Sequence, residues 1–243
     1  MSSILTIALT AAPSLDVTVL RWFNDSHSLW LDVLATYFTS GWTWLPLYIA
    51  FFILVMKNNE TIQQVGLVIG CTLLALILAG GVDNLIVKPL VARPRPSSDP
   101  IIKYMVDVVA GYRGKDFSFF SAHAANTMAI ATFFIWLVRD KLLSVMLVCW
   151  SLINCWTRLH LGMHYPSDIV VGLVWGVISG SVAFFFFNRI YYRISEKINY
   201  ISSQYSSTGY AKTDIGIVAT ILTLTLAVVM LLAAHTAGTL YMK

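Results

Sequence analysis

Three groups of polar residues interrupt an otherwise apolar chain. The first is Lys88-Pro89-Leu90-Val91-Ala92-Arg93-Pro94-Arg95-Pro96. The second runs from Phe119 to Asn126 and contains Ser121, Ala122 and His123. The third is Thr157-Arg158-Leu159-His160-Leu161-Gly162-Met163-His164-Tyr165-Pro166-Ser167-Asp168. Lys88, Arg95 and Arg158 offer three cations, and arginine is the side chain suited to gripping an oxyanion with two parallel hydrogen bonds. Ser121 stands where a helix is expected to open, and the unpaired N–H groups of a helix start attract phosphate. His123 and His164 allow a nucleophile and a proton donor. Asp168 follows His164 by four residues, so on a shared helical turn its carboxylate could accept from one ring nitrogen and fix the tautomer. Together these residues describe a site for a doubly charged oxyanion. No Asp/Glu cluster suits magnesium and no His/Cys spacing suits zinc, so the chemistry is expected to need neither metal nor cofactor.

Each group has a plainer reading on its own. The first could be a snorkelling basic collar. The second could be a capping serine beside an interfacial histidine. The third could be a boundary turn whose charges face water. Topology argues for the joint reading, and topology follows from composition. The 243 residues are 58% hydrophobic and only 12% charged, with a mean hydropathy of +0.74. A soluble domain carries about 25% charged residues. Six apolar runs fit membrane spans: Trp42 to Met56, Val65 to Val87, Phe119 to Val138, Leu142 to Trp156, Ile169 to Phe187 and Ile215 to Ala234. About 20 helical residues cross a hydrocarbon core of about 30 Å. The expectation is all-α: a polytopic transmembrane helical bundle of about six spans, forming one integral membrane domain over residues 1–243. The Trp42 and Leu142 runs are short and need polar-ended extensions or protein neighbours.

Leu15 to Ser40 mixes apolar, polar and aromatic residues and reads as an amphipathic interfacial segment of one or two helices, a tilted first span being the alternative. The apolar stretch Ile4 to Ala12 lacks the positive flank of a signal peptide and is expected to remain in the mature chain. Arg95 to Ser118 is a long loop, and loops of that length in compact domains are usually functional or mobile. It does not span, so the first two groups share a face. Two spans separate the second group from the third, which returns the chain to the same face. All three groups therefore converge on one side of the membrane.

The net charge of +4 and pI near 9.0 suit basic loops on anionic lipid, and no basic stripe interleaved with aromatics suggests a nucleic-acid partner. Cys71, Cys149 and Cys155 lie in apolar runs and read as small hydrophobes. The sequence carries no signal for oligomeric state.

The spacing over residues 88–168 resembles the three-part signature of the type 2 phosphatidic acid phosphatase family, which is related to vanadium haloperoxidases. That signature is Lys, six residues, Arg-Pro; then Pro-Ser-Gly-His; then Ser-Arg, five residues, His, three residues, Asp. Lys88 to Arg95-Pro96 agrees fully, Phe120-Ser121-Ala122-His123 keeps the serine and histidine, and Thr157-Arg158, His164 and Asp168 keep the third spacing. Phe120, Ala122 and Thr157 replace proline, glycine and serine, and none of these changes removes a reacting group. The resemblance implies that His164 attacks phosphorus to give a phosphohistidine, that Asp168 orients it, and that His123 protonates the leaving oxygen and later activates water. It assigns the phosphoryl oxygens to Lys88, Arg95, Ser121, the Ala122 N–H and Arg158.

The function this implies is a metal-independent membrane lipid phosphatase acting on a phosphomonoester or pyrophosphate. Phosphatidylglycerol phosphate, phosphatidic acid, an isoprenyl pyrophosphate and lipid A phosphates all suit it. The alternatives are a lipid phosphotransferase and a non-catalytic phospholipid carrier, although binding alone does not require His123, His164 and Asp168. His160 falls outside the pattern and reads as structural or at the rim, Arg93 as a solvated or headgroup-facing charge with a secondary phosphate contact as the alternative, and Asp83 and Asn84 as helix-end partners of Lys88. Setting aside the basic residues of the three groups, Lys57, Arg139, Lys141, Arg189, Arg193, Lys197 and Lys212 lie on the opposite face, against Arg21, Lys103, Arg113, Lys115 and Lys243 on the site face. That bias points the site away from the cytoplasm, on the periplasmic face of a bacterial inner membrane.

Overall fold

The computed structural model describes residues 14–111, 114, 117–194 and 203–242. The stretch Ile4 to Ala12 lies outside the described residues, as do Arg113, Lys115, Lys197 and Lys243. The helices are α1 (Leu15–Asn24), α2 (Leu29–Thr39), α3 (Leu45–Lys57), α4 (Ile62–Leu76), α5 (Lys88–Val91), α6 (Ala122–Val138), α7 (Lys141–His160), α8 (Pro166–Ile194) and α9 (Lys212–Tyr241). Among the described residues there is no strand. The stretch Ile62–Ser98, α7, α8 and α9 are long and apolar enough to cross a membrane. Leu29–Thr39 and Gly41–Lys57, bent by 68°, form a fifth crossing if taken as one, and α6 adds a shorter apolar helix of 17 residues. This agrees with about six spans. Of the two short runs, α7 is lengthened to 20 residues, with Asp140 capping it through a 2.9 Å bond from the Leu143 N–H. The other begins as a 3-10 turn, Gly41–Trp44, before the 13 residues of α3.

Residues 15–39 form two helices. Serines open both, Ser14 accepting from the Val17 N–H and Ser28 from the Leu31 N–H. α1 is amphipathic: Val17, Leu20 and Asn24 are buried, while Leu15 and Trp22 are 81% and 77% exposed.

α4 continues as two π-helical segments, Ile77–Gly81 and Asp83–Val87, before α5. A π turn shifts the hydrogen-bond partner by one residue and leaves backbone groups free to bond elsewhere. Here the Gly80 N–H donates to Asn126 Oδ1 of α6 at 2.8 Å, and the Leu78 carbonyl accepts from Trp175 Nε1 of α8 at 2.8 Å. A Cβ at residue 80 would lie 2.6 Å from the Asn126 amide. The wide turns thus lock the helix that carries Asp83 and Lys88 to the two helices that carry the histidine and aspartate groups.

The closest seam joins α6 to α8. Gly172, Gly176 and Gly180 recur every four residues on α8, and a Cβ at each would meet a backbone carbonyl of Ser121, Ala125 or Ala129 at 2.8, 2.6 and 2.5 Å. Between spans there is no hydrophobic drive to associate, so small residues that let backbones approach supply the packing. The opposite end of the bundle is tied by polar contacts. Lys57 pairs with Asp214, Asn58 Oδ1 accepts from the Ala211 N–H at 2.7 Å, and Thr208 donates to the Val138 carbonyl at 3.0 Å.

The seam yields a contrast. Gly176→Ala should lower stability by about 1–3 kcal/mol through overpacking. Gly70→Ala, where the new Cβ meets nothing within 4 Å, should be neutral or stabilising by about 0.5–1 kcal/mol. Melting of the detergent-solubilised protein checks both, and equal losses would contradict the seam.

Candidate active site

Asp168 has no solvent exposure, yet its carboxylate is fully furnished with partners. Oδ2 accepts from the Ser118 hydroxyl and from the Tyr165 N–H at 3.0 Å, and it faces His164 Nδ1 at 3.6 Å. Oδ1 accepts from Arg93 Nη1 at 2.7 Å. The shared helical turn anticipated for His164 and Asp168 is absent. Pro166 is the first residue of α8, a position that suits its fixed φ and missing N–H, so His164 lies in the loop before the helix. Asp168 is instead the third residue of that helix and reaches back to the chain ahead of it.

His164 is buried at 2% exposure. Its Nδ1 faces Asp168 and lies 3.5 Å from Ser118 Oγ, while Nε2 lies 3.3 Å from Arg95 Nη1. A carboxylate only accepts, so this arrangement assigns the ring proton to Nδ1 and leaves the Nε2 lone pair toward Arg95. Burial, reinforced by the charges of Arg158 and Arg95 and opposed by Asp168, holds the imidazole well below its ordinary value of 6.5. The ring is therefore neutral at pH 7 and able to act as a nucleophile.

The cations are buried around this ring. Lys88 is held by Asp83 Oδ2 at 2.9 Å and Asn84 Oδ1 at 2.7 Å, the partners expected one turn before it. Arg95 also donates to the Met163 carbonyl at 3.2 Å. Arg158 donates to Thr39 Oγ1 at 2.5 Å. Ser121 caps α6, accepting from the Ala124 N–H, and its own N–H donates to the Asp168 carbonyl at 3.2 Å. Ala122 opens that helix with an ordinary backbone, since it is not among the residues of positive φ. His123 is exposed on the first turn, within the electrostatic reach of Arg158, Lys88 and Arg95. All eight residues singled out in the sequence thus stand at one end of the bundle. Among the described residues no group of three His, Cys, Asp or Glu side chains could hold a metal ion.

The substitution of Phe120 for proline has a local consequence. Its N–H donates to Asp83 Oδ1 at 3.1 Å, a bond proline cannot make. The same carboxylate holds Lys88, so the first and second groups are joined through Asp83.

Arg93 departs from the solvated reading. Its guanidinium lies 3.7 Å over the Tyr165 ring, with Nη1 on Asp168 and Nη2 on Asp16 of α1 at 2.8 Å. His160 is structural, as read: Nδ1 meets the Phe23 carbonyl at 2.9 Å and Nε2 meets Asp32 at 2.8 Å.

The sequence profile of the PAP2 superfamily matches residues 68–192, just over half of the chain and all three groups. The chain belongs to the PAP2 superfamily. It is 35% identical over 182 residues to a lipid A 4'-phosphatase of Bacteroides thetaiotaomicron, covering 74% of this chain and 80% of that protein. It is 30% identical over 144 residues to a lipid A 4'-phosphatase of Porphyromonas gingivalis, covering 58% of this chain and 60% of the other. The crystal structure of Aquifex aeolicus LpxE superposes with a TM-score of 0.55 at 26% identity, over 72% of this chain and 97% of that one. A PAP2-type phosphatidylglycerolphosphate phosphatase from Bacillus subtilis, at 19% identity and a TM-score of 0.53, shares the fold over 80% of this chain and 94% of its own. With its apolar helices, this PAP2 chain is an integral membrane enzyme, a hydrolase acting on lipid phosphate.

Sequence reasoning passed over Ser118, Asp16 and Gly114. Ser118 and Asp16 had no pattern to announce them. Gly114 sits inside the long loop, where a Cβ would come within 2.5 Å of Arg95 Nε. Its backbone therefore presses on the guanidinium. Gly114→Ala should displace Arg95 and weaken inhibition by vanadate about tenfold, the effect of losing one charge-assisted hydrogen bond of about 1.5 kcal/mol. An unchanged inhibition constant would refute that placement.

Proposed function

We propose that this PAP2 enzyme removes a phosphate monoester from a lipid A-class glycolipid through a phosphohistidine on His164. The observation that carries the proposal is the orientation of that ring, with Nδ1 on a buried carboxylate and Nε2 directed at a buried guanidinium. In the proposed reaction Lys88, Arg95, Arg158, Ser121 and the Ala122 N–H neutralise and fix the phosphoryl oxygens, which is most of what phosphoryl transfer asks of a protein. The Nε2 lone pair forms the N–P bond as the ester P–O bond breaks. His123, exposed beside the ring, gives a proton to the departing sugar oxygen. Asp168 holds the Nδ1 proton and balances the charge that builds on the imidazole. Water then attacks phosphorus with His123 taking its proton, the N–P bond breaks, and inorganic phosphate leaves.

The lipid A class is favoured because the two relatives at 30% identity or more are both named for that activity. The basic residues Lys57, Arg139, Lys141, Arg189, Arg193 and Lys212 at the end away from the site support a periplasmic active site in a bacterial inner membrane. Residues 1–243 then form a single phosphatase domain.

Phosphate release from the purified protein tests the reaction, with lipid A, phosphatidic acid, phosphatidylglycerol phosphate and an isoprenyl pyrophosphate assayed side by side in EDTA. The expected result is fastest turnover of lipid A, inhibition by vanadate, and a loss of about 10⁴-fold or more in His164→Ala, the size seen when a nucleophile is removed. Quenching in alkaline detergent with 32P-labelled substrate, which spares the acid-labile N–P bond, should trap label on the wild-type protein and none on His164→Ala. Retained activity in that variant would overturn the mechanism, and faster turnover of another lipid would overturn the substrate. Cysteine labelling at residues 98 and 59 in intact cells tests the orientation.

A further inference from the structure

Asp168 has two oxygens, and the family pattern accounts for only one of them. Oδ2 serves His164, Ser118 and the Tyr165 N–H. Oδ1 belongs to Arg93, which sits between two acids. Nη1 donates to Asp168 Oδ1 at 2.7 Å and to Ser167 Oγ at 2.8 Å, and Nη2 donates to Asp16 Oδ2 at 2.8 Å. Both terminal nitrogens of the guanidinium are thus engaged by protein. The plane is also held from its face by Tyr165, whose hydroxyl donates to Asp99 at 2.9 Å. Asp16 is fixed in turn, because Oδ1 accepts from the Ser167 N–H at 2.9 Å and Oδ2 from the Ser167 hydroxyl at 2.5 Å. Burial alone would raise the Asp16 carboxyl, but the bonds from Arg93 and Ser167 outweigh it and hold the group below the ordinary carboxylate value. Asp16 lies on α1, far outside the 68–192 match.

We propose that Arg93 is a positioning residue for Asp168, and through it for His164, and that Asp16 of the N-terminal helix is the anion that holds Arg93 in place. The planar fork suits this task because one guanidinium can bond two carboxylates at fixed angles, which an ammonium cannot. Asp16 also divides the pull of the cation. With Asp16 removed, Arg93 bears on Asp168 alone, and the carboxylate becomes a weaker acceptor for the His164 proton.

The inference rests on the reading of His164 as nucleophile, so His164→Ala is measured alongside. The test uses the full chain in detergent and the panel lipid turned over fastest. Arg93→Ala should lower kcat about 100-fold with KM changed less than about threefold, the signature of an interaction that matters in the transition state and not in substrate binding. Asp16→Asn should lower kcat about tenfold in the wild type and less than about twofold in the Arg93→Ala background, since residues acting through one network are not additive. Arg93→Lys, which keeps the charge and loses the fork, should show the same kcat-weighted split at smaller size and covers the case in which Arg93→Ala does not fold. A rise in KM that accounts for the loss would make Arg93 a substrate contact and overturn the proposal. So would an Asp16→Asn effect of equal size in both backgrounds. Retained activity in His164→Ala would instead sink the nucleophile reading itself.

Discussion

A charge placed at zero exposure is tolerated only when hydrogen bonds replace the water it has lost. The carboxylate of Asp168 sits under that constraint, and much of the surrounding architecture answers it. The donors come from the loop before α6 (Ser118), the loop before α8 (the Tyr165 N–H), and the loop after α5 (Arg93). Three separate segments must reach one pair of oxygens. Once they do, the neighbouring imidazole has a single orientation left to it, and its outward nitrogen meets Arg95. The same demand repeats nearby at smaller scale. Asp83 is also at zero exposure; it is ion-paired with Lys88 at 2.9 Å and accepts from the Phe120 N–H. Each buried acid therefore fastens a basic group of the first motif to the rest of the site.

The residues that could react were legible because they are polar in a chain that has little polarity to spare. Lys88, Arg95, His123, Arg158, His164 and Asp168 could be found by type and spacing, and span parity was enough to bring them to one face. The start of α8 was legible too, in Pro166, whose fixed φ and missing N–H suit a first helical position. What remained hidden were partners set by folding over long distances. Ser118, Asp16 and Thr39 are ordinary residues until the chain brings them against Asp168, Arg93 and Arg158. Arg93 looked like a collar charge for the same reason, since both acids that bind it are distant in sequence. The Gly172, Gly176 and Gly180 series is plain in the letters, but its meaning depends on which backbone lies opposite, and only the fold sets that.

The N-terminal helices are more than a platform at the lipid surface. Asp16 reaches Arg93 and Ser167, Asn24 reaches the His160 and Asp107 carbonyls, Asp32 reaches His160, and Thr39 reaches Arg158. Apart from the one to Arg93 in the first motif, these contacts fall on the third motif and on the long loop, the two segments that a bundle of spans leaves least constrained. Polar anchoring of this kind is strong where water is scarce, and it joins the amphipathic N-terminal segment directly to the residues proposed to hold phosphate.

The glycine seam between α6 and α8 limits how this protein can diversify. At positions 172, 176 and 180 even one added carbon collides with a neighbouring backbone, and backbone cannot step aside as a flexible side chain can. Sequence drift along that line is closed. Along the outer faces of α8 and α9, where Val174, Ile178, Leu224 and Leu231 are exposed, one aliphatic residue can replace another with no protein neighbour to object. Two lineages of this enzyme could therefore differ over most of their membrane-facing surface, adapting to different bilayers, while keeping an unaltered spine behind the reacting groups.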